Sequence, residues 1–234
     1  MLILRTTVFF IGWMAATLVL GILGVPVLLL SQRAVWCFNK IWVGFTLGWL
    51  RLTCGVRSEV HGVPQGRLIA SKHQSAWDTL IMWHTFGNPV FVLKRELYWI
   101  PIFGWYLWRS GQIAINRSDG RSAYEQIEKQ APKLLAQGRT IILFPEGTRV
   151  KIGDRKHFRS GIARVSAMLQ LPVVPAALNA GLFWPKHDLL KRPGTAVLKF
   201  LPPLPVCGAD PVAWMKDLET VIETESAALA ARAE

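Results

Sequence analysis

The chain has 234 residues, which suits one α/β domain with an appendage and excludes two sizeable enzymatic domains. Its composition is both apolar and basic: 51% of residues are hydrophobic, eleven are tryptophan, and 27 Lys and Arg stand against 15 Asp and Glu. This combination is typical of proteins that work at a phospholipid surface. Nucleic acid would also attract a net charge of +12. It leaves the apolar N-terminus unexplained, however, and no nucleic-acid-binding signature is present, so we expect no nucleic-acid partner.

The first predicted element is a long apolar helix. No charged residue occurs between Thr6 and Gln32. As a helix, residues 6–30 would extend ~37 Å, enough to span the hydrocarbon core of a bilayer. A cleavable signal peptide is the alternative, but the apolar stretch is longer than a usual signal-peptide core and no clear cleavage site follows it.

The second apolar segment, residues 34–50, is rich in tryptophan and carries a basic stripe on the helical wheel. Arg33, Lys40 and Arg51 fall within that stripe. This pattern favours a helix at the headgroup boundary, or one arm of a shallow hairpin. A helical pair buried in a globular core is the alternative. The predicted division is membrane-anchoring helices at 1–55 and an α/β domain at 56–234.

Beyond residue 55, short β-rich runs alternate with helical patterns. The predicted strands are 67–71, 89–94, 112–116, 140–144, 173–178 and 196–200. Helical spacing is present at 124–135, and further helices are predicted at 161–169 and from about 211 to 231. The alternation predicts a single α/β domain with a mixed, largely buried sheet flanked by helices, preceded by a two-helix apolar membrane motif.

The segment Ser-Lys-His-Gln-Ser-Ala-Trp-Asp, residues 71–78, contains the first candidate site. On one helix, His73 and Asp78 would lie ~140° apart and could not touch. They meet if His73 stands in a strand-to-helix turn and Asp78 in the first helical turn, with Ser75 as the N-cap. The carboxylate then accepts a proton from one imidazole nitrogen and leaves the other free as a base. A purely structural His–Asp pair is the alternative.

The second candidate site is Phe-Pro-Glu-Gly-Thr-Arg, residues 144–149, at the end of a predicted strand. Glu146, Gly147, Thr148 and Arg149 form a polar cluster where α/β folds bind ligands. A strongly basic stretch follows, and Arg149 with such neighbours would hold a phosphate monoester well. The alternative is a solvated basic loop. Two weaker motifs are a short strand that ends in Arg117 and an apolar strand that carries Pro175.

In this order, the four motifs resemble the glycerophospholipid acyltransferase family, and within it the 1-acylglycerol-3-phosphate (lysophosphatidic acid) acyltransferases. The family has a His-x4-Asp block, a Gly-rich strand ending in Arg, a Phe-Pro-Glu-Gly-Thr-Arg block and a Val-Pro strand, which here cover roughly residues 68–177. Two departures concern Lys72, where many members have Asn, and Arg159, where a Lys is frequent.

The resemblance implies that His73 and Asp78 are the catalytic pair. It implies acceptor contacts from the following residues: Arg117, Glu146, Gly147, Thr148, Arg149 and, in place of the family lysine, Arg159. The implied reaction moves a fatty acyl group from acyl-CoA or acyl-carrier protein to the sn-2 hydroxyl of 1-acyl-glycerol-3-phosphate, which gives phosphatidic acid.

The expected partners are therefore the lipid acceptor, the thioester donor and membrane phospholipid. Because both donors are cytoplasmic, we expect the catalytic domain on the cytoplasmic face, at the inner membrane if the source is bacterial. No cofactor and no metal is expected, since the sequence has no His, Cys and carboxylate cluster at ligand spacing. The alternatives are another lysophospholipid, glycerol-3-phosphate or a non-phosphate acceptor, and a non-catalytic binder of anionic lipids.

Overall fold

A computed structural model describes residues 1–116, 120–186 and 188–233. Its helices are α1 (Leu2–Leu23), α2 (Gln32–Cys54), α3 (Trp77–Phe86), α4 (Phe103–Arg109), α5 (Gly120–Ala136), α6 (Gly161–Leu169) and α7 (Pro211–Ala231). Its strands are β1 (Val56–His61), β2 (Leu68–Ser71), β3 (Val90–Lys94), β4 (Ile113–Ile115), β5 (Ile141–Leu143), β6 (Val173–Leu178) and β7 (Gly194–Phe200).

The seven strands form one mixed sheet in the order β1-β7-β6-β2-β5-β3-β4. Five of them, β6, β2, β5, β3 and β4, run parallel to one another. β7 pairs antiparallel to β6, and β1 pairs parallel to β7 at the edge. β2 is therefore central, with β5 on one side and β6 on the other, and the carboxyl ends of these three strands meet at one edge of the sheet.

Helices cover both faces of the sheet. Side chains alternate between these faces along each strand, so neighbouring residues of one strand pack against different helices. On β2, Ile69 packs into a core with α2 and α3, whereas Leu68 and Ala70 pack into a second core with α5, α6 and α7. All residues of β2 and β6 are buried. The prediction of a single α/β domain with a largely buried sheet between helices is confirmed.

One strand was not predicted. β1 has five exposed residues out of six, and it joins the sheet only through β7. Its sequence Val-Arg-Ser-Glu-Val-His therefore lacks the apolar run that identified the other strands. The helices predicted at 161–169 and 211–231 have the predicted bounds, and α5 continues through Pro132.

Within the described residues, α1 is the one helix long and apolar enough to cross a membrane. Most of its apolar side chains are exposed, including Ile11, Met14 and Leu18, which indicates that the chain associates with a membrane. The predicted helix over 6–30 is shorter in the structure, since α1 ends at Leu23 and Pro26 lies in a short 3₁₀ turn. The membrane role of α2 stays a prediction.

The N-terminal helix also packs on the α/β domain. Phe9 is fully buried, and its ring meets that of Trp184 edge to face at 5.3 Å between centroids. Trp13 meets the same tryptophan at 5.9 Å. α1 is therefore fixed against the domain by one aromatic face, and its opposite side is left apolar and exposed.

Candidate active site

The candidate residues converge at the carboxyl edge of the sheet. His73 follows the end of β2 by two residues, and Glu146 follows the end of β5 by three. Because β2 and β5 are neighbouring parallel strands, the loops that leave them lie side by side. This is the edge at which open α/β sheets bind their ligands.

His73 and Asp78 are in contact, with 2.9 Å between the imidazole Nδ1 and the carboxylate Oδ2. His73 stands in the turn after β2, and Asp78 lies in the first turn of α3, as the spacing required. The carboxylate is fully buried, whereas the imidazole keeps 17% of its side-chain surface exposed. With Nδ1 donating to Asp78, the opposite nitrogen, Nε2, is free to act as a base.

The loop backbone and an aromatic ring fix this pair. Asp78 Oδ2 also accepts the backbone N–H groups of Gln74 and Ser75, at 2.7 and 2.8 Å. Three donors thus converge on one carboxylate oxygen, which stabilises its negative charge. The imidazole of His73 stacks on Phe144, with ring centroids 4.0 Å apart. Its orientation is therefore set before any substrate binds.

The predicted cap of α3 is shifted by one residue. Ala76 occupies the N-cap position and makes no side-chain cap. The Ser75 hydroxyl instead accepts the N–H of Trp77 at 3.1 Å. Asp78 in turn accepts the backbone N–H of Ser75 at 2.8 Å, so the two bonds together resemble a capping box at the start of α3.

Glu146 is fully buried directly behind His73. Its Oε2 accepts the backbone N–H of His73 at 2.7 Å, and its Oε1 lies 2.7 Å from Nζ of Lys72. Burial raises the pKa of this carboxyl group, while the charge of Lys72 opposes that rise. Glu146, which the family resemblance implies as an acceptor contact, is thus fully buried and already has a partner on each carboxylate oxygen.

The turn that contains Gly147, Thr148 and Arg149 is bound to His73 from the other side. The backbone N–H of Val150 donates to the carbonyl of His73 at 2.8 Å. Gly147 has a left-handed φ of +68°, and a Cβ built there would stand 3.2 Å from the guanidinium carbon of Arg159. Arg159 therefore packs over this glycine, although it lies 12 residues further along the chain.

Lys186 is a cation at this turn that sequence reasoning missed. Its Nζ donates to the carbonyl of Arg149 at 3.0 Å and lies 3.4 Å from the hydroxyl of Thr148. An adjoining groove of about 530 Å³ is basic. Its charged lining residues are Arg149, Lys151, Asp154, Arg155, Lys156 and Lys186. No local signal identifies Lys186, because it follows β6 in sequence and reaches the turn only through the fold.

Two apolar cavities lie within the described chain. One, of about 220 Å³, is lined in part by Phe144, Gly147 and Arg159, next to the stacked imidazole. The other, of about 240 Å³, lies between α1, α2 and α4 and includes Ile102 and Tyr106. Phe103 and Leu107 of α4 also line the second cavity.

Of the predicted site residues, the structure brings His73, Asp78, Glu146, Gly147, Thr148, Arg149 and Arg159 into one region. Arg117, the remaining predicted acceptor contact, lies outside the described residues. The catalytic and binding roles of all these residues remain predictions. Their proximity follows from the sheet order together with the hydrogen bonds that link the two loops.

A family model described as Acyltransferase matches residues 57–179 of the chain. A protein named 1-acyl-sn-glycerol-3-phosphate acyltransferase from Pseudomonas aeruginosa is 36% identical over 89% of this chain and 83% of its own length. The human 1-acyl-sn-glycerol-3-phosphate acyltransferase alpha is 31% identical over 87% of this chain and 72% of its own length.

A crystal structure also matches the fold. It is that of the 1-acyl-sn-glycerophosphate (LPA) acyltransferase from Thermotoga maritima, which superposes with a TM-score of 0.76 at 24% sequence identity. The match covers 100% of this chain and 98% of that one. At this identity the likeness shows the fold alone.

Proposed function

Because the chain belongs to the acyltransferase family, we propose that it transfers a fatty acyl group to the sn-2 hydroxyl of 1-acyl-sn-glycerol-3-phosphate, which gives phosphatidic acid. The observation that carries the proposal is the His73–Asp78 contact of 2.9 Å at the ligand-binding edge of the sheet. The names of the relatives in Pseudomonas aeruginosa and Homo sapiens support the choice of acceptor.

The proposed base is Nε2 of His73. It takes the proton of the acceptor hydroxyl as the hydroxyl oxygen attacks the thioester carbon, and Asp78 stabilises the imidazolium that forms. The tetrahedral intermediate then collapses and expels the thiolate, which receives the proton from His73. The products are an ester and a free thiol, so no covalent acyl-enzyme is needed.

The proposed phosphate site is the turn beside His73. Arg149 and Arg159 supply planar guanidinium groups, and Lys186 adds a further cation at the same turn. Charge-assisted bonds to the phosphate would hold the glycerol hydroxyl near Nε2 of His73, which is an orientation effect rather than a chemical one. Arg117 is proposed as a fourth contact on the family resemblance alone.

The acyl donor is proposed to be acyl-CoA or acyl-carrier protein, with the catalytic domain on the cytoplasmic face, at the inner membrane of a bacterium. The exposed apolar side of α1 supports attachment to the membrane from which the lipid acceptor comes. The apolar cavities beside Phe144 and beneath α1 are candidate sites for the acyl chains. We propose that the reaction requires no cofactor and no metal.

The test measures thiol release from acyl-CoA and, separately, from acyl-carrier protein by detergent-purified protein supplied with 1-acyl-glycerol-3-phosphate. Acceptor-dependent release and a phosphatidic acid product are expected, and both should be lost in His73→Ala. Parallel assays with glycerol-3-phosphate and with a monoacylglycerol identify the acceptor class. Turnover that survives in His73→Ala would overturn the mechanism, and preference for another acceptor would overturn the substrate.

A further inference from the structure

A buried lysine stands next to the proposed base in the chain. The ammonium group of Lys72 lies between two carboxylates, Glu146 from the loop after β5 and Glu223 from α7. Lys72 is only 2% exposed, and the side chain of Glu223 is 15% exposed. Lysine is almost never buried without a partner, because an unpaired charge in a low-dielectric interior is costly. The paired ammonium therefore has a defined position.

The backbone of Lys72 is also fixed. Its N–H donates to the carbonyl of Ala176 on β6 at 3.0 Å, so the residue continues the pairing of β2 with β6. The side chain consequently starts from a rigid point in the centre of the sheet. Because both its backbone and its ammonium group are held, Lys72 couples the position of the central sheet to that of α7.

The two oxygens of Glu146 are divided between consecutive residues. Oε1 lies 2.7 Å from the ammonium of Lys72, and Oε2 accepts the backbone N–H of His73 at 2.7 Å. Lys72 thus sets the rotamer of Glu146, and Glu146 in turn positions the backbone of His73. Without the ammonium, the buried carboxylate would lose its counter-charge and would tend to take up a proton or rotate.

The helix α7 provides the outer support of this arrangement. Glu223 pairs with Lys72, and one helical turn earlier Glu219 accepts the backbone N–H of Phe158 at 3.1 Å, the residue before Arg159. Glu219 and Glu223 lie on one face of the helix because they are four residues apart. The helix α7 therefore contacts two segments: the one that contains the proposed base, His73, and the one that contains Arg159, a proposed contact to the phosphate.

We propose that Lys72 is a positioning residue for His73: held by Glu223, it keeps Glu146 ionised and oriented so that Glu146 fixes the backbone of the base. Lys72 touches no reacting atom and acts through Glu146. The inference rests on the proposed function for its kinetic part. It also predicts a change at the His73 ring that can be measured without turnover.

The kinetic experiment compares Lys72→Met, Lys72→Arg and Glu223→Gln with the wild type. We expect Lys72→Met to lower kcat roughly 10- to 100-fold, as a displacement of the base of about 1 Å would, with KM for the acceptor within about twofold of wild type. Lys72→Arg, which keeps the charge, should recover part of the loss. Glu223→Gln should lower kcat less than Lys72→Met does.

The chain offers a matched control. Lys199 on β7 pairs with Glu225 on α7 at 2.7 Å, so this pair also joins α7 to the sheet. Within the described residues, Lys199 makes no hydrogen bond or ion pair to His73 or Glu146. Lys199→Met should leave kcat unchanged. A loss of kcat in Lys199→Met equal to that in Lys72→Met would mean that docking of α7, and not the link to Glu146, is what matters, and would overturn the proposal.

A double-mutant cycle separates positioning through Glu146 from a merely structural effect. If Lys72 acts through Glu146, Lys72→Met combined with Glu146→Gln should have the kcat of Glu146→Gln alone. If the two substitutions acted independently, the double variant would lose kcat by the product of the two single losses, and that outcome would contradict the proposal. The cycle remains informative if either single variant is less stable, provided that all proteins are compared at a temperature below their unfolding.

The readout that does not need turnover is the imidazole ¹⁵N resonance of His73 in detergent-solubilised protein, assigned by its loss in His73→Ala. We expect this resonance to move in Lys72→Met and Glu223→Gln and to stay in place in Lys199→Met. If the wild type turns over neither donor but the resonance moves as expected, the proposed function fails and the positioning inference stands. A resonance that is the same in all variants, with unchanged kcat where turnover is present, would overturn the inference.

Discussion

Asp78 reaches His73 across a turn, and it does so with the oxygen that already accepts two backbone N–H groups of the same turn. The 2.9 Å contact between Oδ2 and Nδ1 is therefore part of the loop's own hydrogen bonding and not a flexible pairing of two long side chains. The imidazole of His73 is oriented by the same bonds that fold the loop. A change at Asp78 should consequently affect both the chemistry and the local structure.

We predict that Asp78→Asn lowers kcat roughly 10²- to 10⁴-fold, the range for loss of general base catalysis. The amide oxygen can still accept the backbone N–H groups, but a neutral amide does not stabilise the imidazolium. Steady-state thiol release measures the effect. Asp217→Asn, on the exposed side of α7, is the control and should match the wild type. Retention of more than a third of wild-type kcat in Asp78→Asn would contradict the role given to this carboxylate.

Arg149 should matter only when the acceptor carries a phosphate. A hydrogen bond to a charged group contributes about 1.5–3 kcal/mol, so Arg149→Ala should lower kcat/KM for 1-acyl-glycerol-3-phosphate roughly 10- to 150-fold. Arg57→Ala, at an exposed position on the edge strand β1, should have no effect. Kinetics with a monoacylglycerol provide the decisive comparison, because an equal loss with that acceptor would show that Arg149 does not act on the phosphate.

Gly147→Ala tests the close contact between the turn and Arg159. Gly147 and Gly87 have nearly the same left-handed φ, +68° and +71°, but only Gly147 has a neighbour within 4 Å of its built Cβ. Alanine at either position should lower the free energy of unfolding by roughly 1–2 kcal/mol. Only Gly147→Ala should also lower kcat/KM, since its methyl group displaces Arg159. Equal activity of the two variants would argue against a role for this packing in acceptor binding.

Lys191 makes stability depend on pH. Lys191 is 1% exposed, and its ammonium stands 4.7 Å from the ring centroid of Phe10 on α1. Burial lowers the pKa of this lysine from 10.5 to about 8. Because the folded-state pKa is depressed, the neutral form is favoured on folding. The stabilisation is therefore fully present above pH 10.5 and is lost as the pH falls through about 8.

Detergent-solubilised wild-type protein should accordingly gain unfolding free energy from this group between about pH 8 and pH 10.5. At ~1.4 kcal/mol per pKa unit, the gain is at most about 3.5 kcal/mol. Lys191→Met should abolish this part of the pH dependence, whereas Lys199→Met should retain it. Denaturant unfolding followed over this pH range checks the prediction, and an unchanged pH profile in Lys191→Met would refute it.

The fold could be predicted largely from local patterns. β2 and β6 are buried over their whole length because both of their faces are covered. All of their residues except Ser71 are apolar, and that burial is visible in sequence. β1 could not be found in this way. It is an edge strand with one buried residue, so its presence depends on pairing with β7, which lies more than 130 residues away in the chain.

The candidate site likewise contains residues that the sequence predicts and residues that only the fold brings to it. The motifs that contain His73, Asp78 and residues 146–149 are contiguous in sequence, so their polar residue types and spacing predict a site. Lys186 and Glu223 carry no such signal. They reach the site from a loop after β6 and from the C-terminal helix, and the role of Lys72 becomes apparent only when Glu223 is seen beside it.

By itself, the sequence determined the α/β class, the apolar N-terminal helix, the His73–Asp78 pair and the family to which these motifs belong. The tertiary structure alone decided which groups the charged side chains contact: Lys72 pairs with Glu146 and Glu223, Lys186 lies near Thr148, and Lys191 lies over the rings of Phe10 and Trp184. The physical reason is that apolar periodicity encodes how each segment is buried. The partner of a buried charge depends on strand order and helix docking, which no single segment specifies.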